Sequence, residues 1–357
     1  MKILVLSRYS RMGASSRLRT LQYLPYLRER GLDIQVEPFF DDQYVQGVYS
    51  KKSPRFSAFS YFLQRLKILA RQQKPDVIWL EKEALPWVPW PVERLFLPRG
   101  VPIVTDIDDA IFHRYDCHRN PVVRTVLGRK IGQVMGHSRC VTAGNAYLAD
   151  HAKEYGAPNV EVVPTVVDID VYGAQPRLPG DTTLRVGWIG TPYTWQEAGP
   201  IYDVLHPILE ENSAVFRAVG AKLQPDTSGT LDVVPWTEDT EVELIQSMDV
   251  GIMPLNDTPW ARGKCGYKLI QYMACGLPVI ASPVGVNARI VEHGVNGFLA
   301  STDAEWREAL SMLMRDPELR ARLGAAGRKK VEEKYSLQVW GPRVAEILSN
   351  AAKDDFL

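Results

Sequence analysis

Residues 263–287 carry the pattern with the most specific chemistry in this chain. They read as a loop with two glycines, Gly263 and Gly266, then a short helix, a Gly-Leu-Pro break, a strand and a second glycine loop. Apolar residues recur at helical spacing up to Gly276, which is typical of a helix C-terminus. Backbone amides of a glycine loop that opens a helix bind phosphate readily. The stretch therefore predicts a site for a phosphorylated ligand.

Acidic residues form a second candidate group. Asp106, Asp108 and Asp109 follow a predicted strand at 101–105. The carboxyl end of a parallel strand is where α/β proteins bind ligands, so these carboxylates are candidates for a reacting centre. Two other interpretations stay open: the Asp-x-Asp spacing suits a metal site, and an acid at this point could cap the following helix.

The elements that position these residues alternate between strands and helices. Short apolar runs predict strands at 2–7, 33–38, 76–80, 101–105, 140–144, 160–163, 184–190, 215–219, 231–234, 250–254 and 279–281. Helical spacing predicts a first helix from near Arg17, with Ser15 or Ser16 as its N-cap. Further helices are predicted at 303–314, 317–323, 325–335 and 337–351. The alternation predicts an α/β protein, and 357 residues favour two domains.

The net charge of zero hides an asymmetry between the two halves. Residues 1–168 hold 24 Lys and Arg against 17 Asp and Glu, a balance of +7, and the remainder holds 18 against 25, a balance of −7. Residues 51–74 contain seven basic and no acidic side chains, interleaved with aromatic and aliphatic ones. Such a segment predicts either a helix that contacts an anionic membrane or a core-facing helix with a solvated basic face.

Cysteine content and hydropathy bear on the compartment. Cys117, Cys140, Cys265 and Cys275 lack the spacing of a metal site or a disulfide framework, so we expect small buried side chains in a reducing environment. The N-terminus shows no signal-peptide pattern, and no window reaches about 20 uninterrupted apolar residues. These features predict a cytoplasmic protein, with 51–74 as the segment for peripheral contact with the inner face of the membrane.

The stretch at 263–287 resembles the donor-binding segment of the family 4 (group 1) retaining glycosyltransferases, which have the GT-B fold. That family typically shows Glu-x7-Glu with an internal glycine, then Ala-Met-Ala-x-Gly-x-Pro-Val-Ile-Ala and a glycine loop. The residues that match are Gly266, Met273, Ala274, Gly276, Pro278, Val279, Ile280, Ala281 and Gly285. Gly263 and Gln271 stand where the two acids are usual, so the chain resembles a divergent member.

The resemblance implies two Rossmann-like domains facing across a cleft, with the C-terminal helix crossing back to the first domain. Residues 164–168 resemble the family's interdomain linker. The predicted domains are therefore an acceptor domain at 1–168, a nucleotide-sugar donor domain at 169–336 and a terminal helix at 337–357 that packs on the first domain.

The resemblance also implies a donor site. The family usually binds the donor pyrophosphate through an Arg and a Lys after the glycine at position 190, and neither is present in this sequence. We expect Lys264 and Lys268 to supply that positive charge. Gln271 would contact the ribose with neutral hydrogen bonds, and Trp236 would stack on the base or pack in the core. The predicted donor-binding residues are Gly13, Gly190, Thr191, Trp236, Lys264, Cys265, Gly266, Tyr267, Lys268 and Gln271.

Asp108 stands where the family commonly has a histidine that approaches the transferred sugar, so it is the predicted catalytic residue. The resemblance implies acceptor-side roles for Arg17, Arg19, Asp109 and Asn145, and Asn145 is also the expected N-cap of a helix. Enzymes of this type need no bound metal, and the nucleotide-sugar is a co-substrate, so we expect no cofactor.

The implied reaction is retaining transfer of a sugar from a nucleoside-diphosphate sugar, UDP rather than GDP, to a hydroxyl of a saccharide or lipid-linked acceptor, as in polysaccharide biosynthesis. Nucleic acid is not an expected partner. Two alternatives stay open. One is a GT-B protein that binds a sugar-nucleotide without catalysis, since several family residues are replaced. The other is a nucleotide-sugar epimerase.

Overall fold

The computed structural model describes residues 1–49, 58–71, 74–173, 183–223 and 229–353. Part of the basic segment predicted at 51–74 lies outside these ranges.

The chain forms two compact units. Unit 1 comprises Met1–Thr165, Gly263–Cys265 and Trp340–Leu357, and unit 2 comprises Val166–Arg262 and Gly266–Val339. The return of residues from 340 onward to unit 1 confirms the predicted course of the terminal helix. The predicted boundaries at 168 and 337 each lie three residues from these divisions, and they assigned residues 263–265 to the second domain.

The sheet of unit 1 has six short strands. They are β1 (Lys2–Leu6), β2 (Asp33–Val36), β3 (Val77–Glu81), β4 (Ile103–Ile107), β5 (Cys140–Ala143) and β6 (Val160–Val162). The strand order is β2-β1-β3-β4-β5-β6, and every neighbouring pair is parallel. The residues of β3 are buried throughout, as in a sheet covered on both faces.

Helices connect these strands. They are α1 (Ala14–Arg19), α2 (Leu24–Glu29), α3 (Asp42–Tyr49), α4 (Ala58–Arg71), α5 (Trp90–Phe96), α6 (His113–Asp116), α7 (Pro121–Leu127), α8 (Lys130–Gly136) and α9 (Ala146–Glu154). A 3₁₀ turn at Leu21–Tyr23 separates α1 from α2. Asn145 caps α9, because its side chain accepts a hydrogen bond from the Leu148 amide, which confirms the predicted N-cap.

The sheet of unit 2 repeats this plan with β7 (Arg185–Ile189), β8 (Val215–Val219), β9 (Leu231–Val234), β10 (Val250–Met253), β11 (Val279–Ala281) and β12 (Gly297–Leu299). Its order is β12-β11-β10-β7-β8-β9, again parallel at every pair. Because all strands within one sheet point the same way, their carboxyl ends share one edge. That edge is where ligands bind in folds of this class.

The helices of unit 2 are α10 (Trp195–Glu211), α11 (Glu241–Gln246), α12 (Pro259–Arg262), α13 (Tyr267–Ala274), α14 (Asn287–Ile290), α15 (Asp303–Arg315) and α16 (Pro317–Lys334). The last helix, α17 (Leu337–Lys353), begins in unit 2 and continues in unit 1. The predicted α/β fold with two Rossmann-like units is confirmed.

Four details differ from the sequence-based expectations. The N-cap of α1 is Gly13, so the prediction of Ser15 or Ser16 was wrong, because both hydroxyls bond to the carboxylates of Asp108 and Glu81 instead. The two helices predicted at 317–323 and 325–335 are the single helix α16. The three-residue strand β12 was not predicted. Cys117 is exposed, whereas the other three cysteines are buried as expected.

Candidate functional site

In unit 1, Asp108 lies just past the carboxyl end of β4 and contacts two polar side chains. Its Oδ1 is 2.8 Å from Lys82 Nζ, and its Oδ2 accepts a hydrogen bond of 2.5 Å from the Ser15 hydroxyl. Lys82 also donates to Ser15 Oγ at 2.9 Å, which closes a triangle of three side chains from three segments of the chain. The first turn of α1, the end of β3 and the end of β4 thus meet at one partly buried polar site.

The charge of Asp108 is fixed by these neighbours. Burial alone would raise the pKa of its carboxyl, but the Lys82 ammonium, with a smaller contribution from Arg19, lowers that pKa to about 2. Asp108 is therefore an anion at neutral pH. It can stabilise positive charge or accept a proton, but it holds no proton to donate.

Lys82 is a functional candidate that the sequence reasoning missed. Its backbone has φ of 64°, a left-handed conformation that non-glycine residues adopt at a cost of about 1–3 kcal/mol. Its side chain is buried between Asp108 and Glu81, whose Oε1 is 3.7 Å from Nζ. The signal in the sequence was the run Glu81-Lys82-Glu83, which places three charges at the end of a buried strand.

Asp109 and three predicted residues lie beside this triangle within unit 1. Lys264 Nζ is 3.0 Å from Asp109 Oδ1, and both side chains are partly exposed. The Cys265 thiol donates to the Asp108 carbonyl oxygen at 2.9 Å, and burial raises the pKa of this thiol. The side-chain amide of Asn145 donates to the Lys264 carbonyl at 2.9 Å. The segment at 263–265 is thereby fixed against the end of β4.

Arg19 is bound away from this group. Its guanidinium donates to both oxygens of Asp106, at 3.0 and 2.7 Å, and to the Val163 carbonyl at 2.8 Å. Arg17 is buried and contacts the Arg11 carbonyl at 3.5 Å. The acceptor-side roles expected for both arginines stay predictions, although the donors of Arg19 are largely used inside the unit.

Two glycines of unit 1 are required by close contacts. A Cβ on Gly13 would lie 2.3 Å from Tyr9 Cβ. A Cβ on Gly263 would lie 2.5 Å from Ala110 Cβ and 2.6 Å from the Ala110 backbone nitrogen. A glutamate, which the family usually has at position 263, therefore cannot be accommodated here without movement of the backbone.

In unit 2, the carboxyl ends of three neighbouring strands come together. Gly190 follows β7, Gly220 follows β8 and Trp236 lies two residues past β9. A Cβ on Gly220 would be 2.3 Å from the Gly190 carbonyl oxygen and 3.2 Å from Trp236 Cβ. The predicted donor residues Gly190 and Trp236 are thus neighbours. Thr191 continues the loop, and its amide donates to the Thr194 hydroxyl at 3.1 Å.

Lys268 lies near the same edge. Its Nζ is 5.7 Å from the centre of the buried Trp188 ring, on the strand that leads into Gly190. This distance is within the range of a cation–π contact. Gly266 caps α13 with φ of 68°, and a Cβ there would lie 2.3 Å from Ile290 Cδ1. The glycine loop and the first turn of α13 are therefore tightly packed.

Trp236, Tyr267 and Gln271 are linked by two side chains that the sequence reasoning did not single out, Glu241 and Tyr172. Glu241 Oε1 accepts hydrogen bonds from the Tyr172 hydroxyl at 2.5 Å and from Gln271 Nε2 at 2.8 Å. Glu241 Oε2 accepts from Trp236 Nε1 at 2.7 Å. The hydroxyl oxygens of Tyr172 and Tyr267 are 3.2 Å apart. One buried carboxylate thus joins the residues predicted to bind the nucleoside.

The described residues include one group of side chains with metal-ligand chemistry, which is on α6 and its C-cap. His113, Asp116 and Cys117 hold their ligand atoms within 4.8 Å of one another. His113 Nδ1 is 2.9 Å from Asp116 Oδ1, and its Nε2 is 2.8 Å from the Tyr147 hydroxyl. Both ring nitrogens therefore already have hydrogen-bond partners. Separately, no helix in the described ranges is long and apolar enough to cross a membrane.

Comparisons with known proteins agree with this architecture. Residues 184–316 match the family described as glycosyl transferases group 1. The D-inositol 3-phosphate glycosyltransferase of Xylanimonas cellulosilytica is 26% identical over 261 residues, which cover 62% of this chain and 61% of that protein. Human alpha-1,3/1,6-mannosyltransferase ALG2 is 42% identical over 67 residues, 18% of this chain and 16% of that protein. The matches span less than two thirds of both relatives.

Among solved structures, Anabaena Alr3699/HepE in complex with UDP and glucose superposes with a TM-score of 0.73 at 18% identity, over 98% of this chain and 100% of that one. This likeness shows the GT-B fold. With the family match across the donor segment, it confirms the class of protein that the sequence predicts. The chain therefore has the GT-B fold, and its residues 184–316 match the group 1 glycosyltransferases, the family that the sequence resembles.

Proposed function

We propose that this protein transfers a sugar, with retention of configuration, from a nucleoside-diphosphate sugar to a hydroxyl of a saccharide or lipid-linked acceptor. UDP is the proposed nucleotide in preference to GDP. The observation that carries the proposal is the cluster at the carboxyl edge of the second sheet, where a glycine loop, a lysine and the Glu241 network lie together. The glycosyltransferase relatives and the UDP and glucose bound to the Anabaena protein support it.

The donor pyrophosphate requires cations, because it carries about two negative charges into a partly dehydrated site. Lys268 lies by the strand that leads to Gly190, which makes it the proposed contact within unit 2. Lys264 is the second proposed contact. Its ion pair with Asp109 at 3.0 Å would have to be shared with the phosphate or exchanged for it.

Asp108 is the proposed group at the reacting centre. Since its carboxyl is ionised, it would act by stabilising positive charge that develops on the transferred sugar. The lysines would stabilise the negative charge on the departing diphosphate. Most of the rate enhancement would then come from preorganised charges rather than from a proton donor.

We propose that the reaction needs no metal ion. Asp106 and Asp108 have the spacing of a metal site, but each already faces a cation of the protein. Arg19 binds Asp106 through two hydrogen bonds, and Lys82 pairs with Asp108 at 2.8 Å. The positive charge that a divalent cation would bring is therefore supplied by side chains.

Membrane contact through the basic segment is a further part of the proposal. Phe59 and Leu63, one turn apart on α4, are 70% and 42% exposed. Arg65 is buried and donates to two backbone carbonyls, so it does not belong to a basic face. A Phe59→Ser/Leu63→Ser variant should bind vesicles containing anionic lipid more weakly than the wild type in co-sedimentation. Equal binding would contradict contact through α4.

Turnover tests the proposal directly. We expect slow release of sugar from one donor in a panel of UDP- and GDP-sugars with EDTA present, and faster consumption once a hydroxyl acceptor is supplied. Asp108→Asn should reduce turnover by at least a hundredfold while nucleotide affinity changes by less than threefold. Nucleotide binding without release of sugar from any donor would favour the non-catalytic alternative, and full activity of Asp108→Asn would refute the role of that carboxylate.

A further inference from the structure

The amide of Gln271 is held in one orientation. This residue is only 2% exposed, and its Nε2 donates both hydrogens, to Glu241 Oε1 at 2.8 Å and to the Tyr172 hydroxyl oxygen at 2.9 Å. A carboxylate can only accept hydrogen bonds, so the NH₂ group must face Glu241. The carbonyl oxygen of Gln271 must then face away, and within the described ranges nothing donates a hydrogen bond to it.

This oxygen is not among the buried side-chain atoms that lack a partner, so it is open to a ligand. A hydrogen bond that a ligand donates to it would contribute about 0.5–1.5 kcal/mol. The neighbours of Gln271 indicate what that ligand is. Trp236, which shares the Glu241 carboxylate with Gln271, lies at the carboxyl edge beside Gly190 and Gly220. A hydroxyl of a bound nucleotide's ribose is a donor of the right kind for this place.

Glu241 explains why position 271 holds an amide. Two ionised carboxylates at the distance observed between Gln271 and Glu241 would repel each other strongly in a buried site. With an amide at 271 and a carboxylate at 241, every contact pairs a donor with an acceptor. The negative charge that the family carries on its α13 glutamate is in this chain carried by the first residue of α11.

We infer that Glu241 is a positioning residue for donor recognition: it orients the Gln271 amide so that its carbonyl oxygen accepts a hydrogen bond from a ribose hydroxyl, and it holds the Trp236 indole at the base position. This inference rests on the proposed function, because it assigns one part of the nucleotide to one part of that site. It predicts that nucleotide binding depends on the ribose hydroxyls, and that this dependence is controlled by a residue that does not itself touch the ribose.

The test compares the dissociation constants of a ribonucleoside diphosphate and its 2′,3′-dideoxy analogue, using UDP or GDP, whichever binds. One neutral hydrogen bond predicts that the wild type binds the dideoxy analogue about 3- to 10-fold more weakly. Gln271→Ala should lower this ratio to about one. Glu241→Gln should also lower this ratio to about one. The NH₂ group of an amide at position 241 would face either the Trp236 indole N–H or the Gln271 NH₂ group, and both of these are donors. Glu243→Gln, an exposed glutamate on the same helix, is the matched control and should keep the wild-type ratio.

The exchanged variant Glu241→Gln/Gln271→Glu separates recognition from folding. It restores one carboxylate and one amide, so it should discriminate between the two nucleotides at least as well as the wild type. If Glu241→Gln weakened the binding of both nucleotides equally, the ratio of their dissociation constants would stay at the wild-type value. Glu241 would then be a structural residue, and the inference would be wrong. Failure of the wild type to bind either nucleotide would overturn the proposed function and this inference together.

Discussion

At the scale of single residues, the pair of Lys82 and Asp108 couples function to stability. Asp108 is partly buried, and its pKa is about 2 against an ordinary value of 3.8. The folded state therefore binds the proton of Asp108 less readily than the unfolded state does. The ion pair contributes about 2 kcal/mol of stability, which is fully present above pH 4 and is lost as the pH falls toward 2.

Lys82→Met should remove this contribution and leave the partly buried Asp108 carboxylate without its main partner. We expect a loss of about 3–5 kcal/mol in the free energy of unfolding at pH 7. The difference from the wild type should shrink as the pH falls from 4 to 2, because protonation of Asp108 relieves the unpaired charge. Urea unfolding at several pH values measures both effects. Lys329→Met, at an exposed position of α16, is the control and should stay within about 0.5 kcal/mol.

Gln271→Glu on its own tests the charge argument at the other site. It places a second carboxylate against Glu241, so one carboxyl of the pair should have a strongly raised pKa. The folded state then holds a proton that the unfolded state has released, and stability falls as the pH rises from 5 to 8. Thermal unfolding of the variant relative to the wild type should show this trend, whereas Glu241→Gln/Gln271→Glu should show none. Equal destabilisation of Gln271→Glu at pH 5 and pH 8 would argue against a proton shared between the carboxyls at positions 241 and 271.

At the scale of elements, α16 shows how a distant contact overrides a local signal. The glycines of this helix suggest two shorter helices, yet residues 317–334 form one. Gly324 is needed for packing, because a Cβ there would lie 1.9 Å from the Gly276 carbonyl oxygen, just past the end of α13. The partner is 48 positions away in sequence, so no local pattern reveals it.

This packing gives a prediction opposite in sign to helix propensity. Ala is favoured over Gly inside a helix by about 1 kcal/mol, so propensity alone predicts that Gly324→Ala stabilises the protein. We expect instead a loss of about 1–3 kcal/mol from overpacking. The reference is Ala325→Gly at the neighbouring exposed position, which should cost about 1 kcal/mol. A Gly324→Ala protein more stable than the wild type in denaturant unfolding would show that α16 can shift away from the 276 loop.

The elements were predictable where local sequence determines them. Apolar and β-branched residues marked every strand except β12, whose Gly-Phe-Leu sequence begins with a glycine and contains no β-branched residue. The caps were harder. Asn145 was correctly predicted as an N-cap, but Ser15 and Ser16 bond to Asp108 and Glu81 instead of the backbone of α1. Glu81 ends β3 and Asp108 follows β4, so their positions beside α1 follow only from the folded sheet.

At the scale of the whole molecule, the family signal in residues 263–287 predicted the fold of both units. The Glu241 network could not be predicted in the same way. It is built from side chains at 172, 236, 241 and 271, brought together by three separate segments of the chain. The sequence shows that Gln271 replaces the family's usual glutamate. The Glu241 carboxylate that binds the Gln271 amide could be found only in the structure.

The central claim is that unit 2 binds a nucleoside diphosphate, and calorimetric titration of UDP and GDP without added metal tests it most directly. We predict micromolar binding of one of the two nucleotides, with UDP preferred, and at least tenfold weaker binding to Lys268→Ala than to the wild type. Lys329→Ala should match the wild type. Binding that survived Lys268→Ala unchanged would remove that lysine from the site, and the absence of binding of either nucleotide would contradict the account of the donor site.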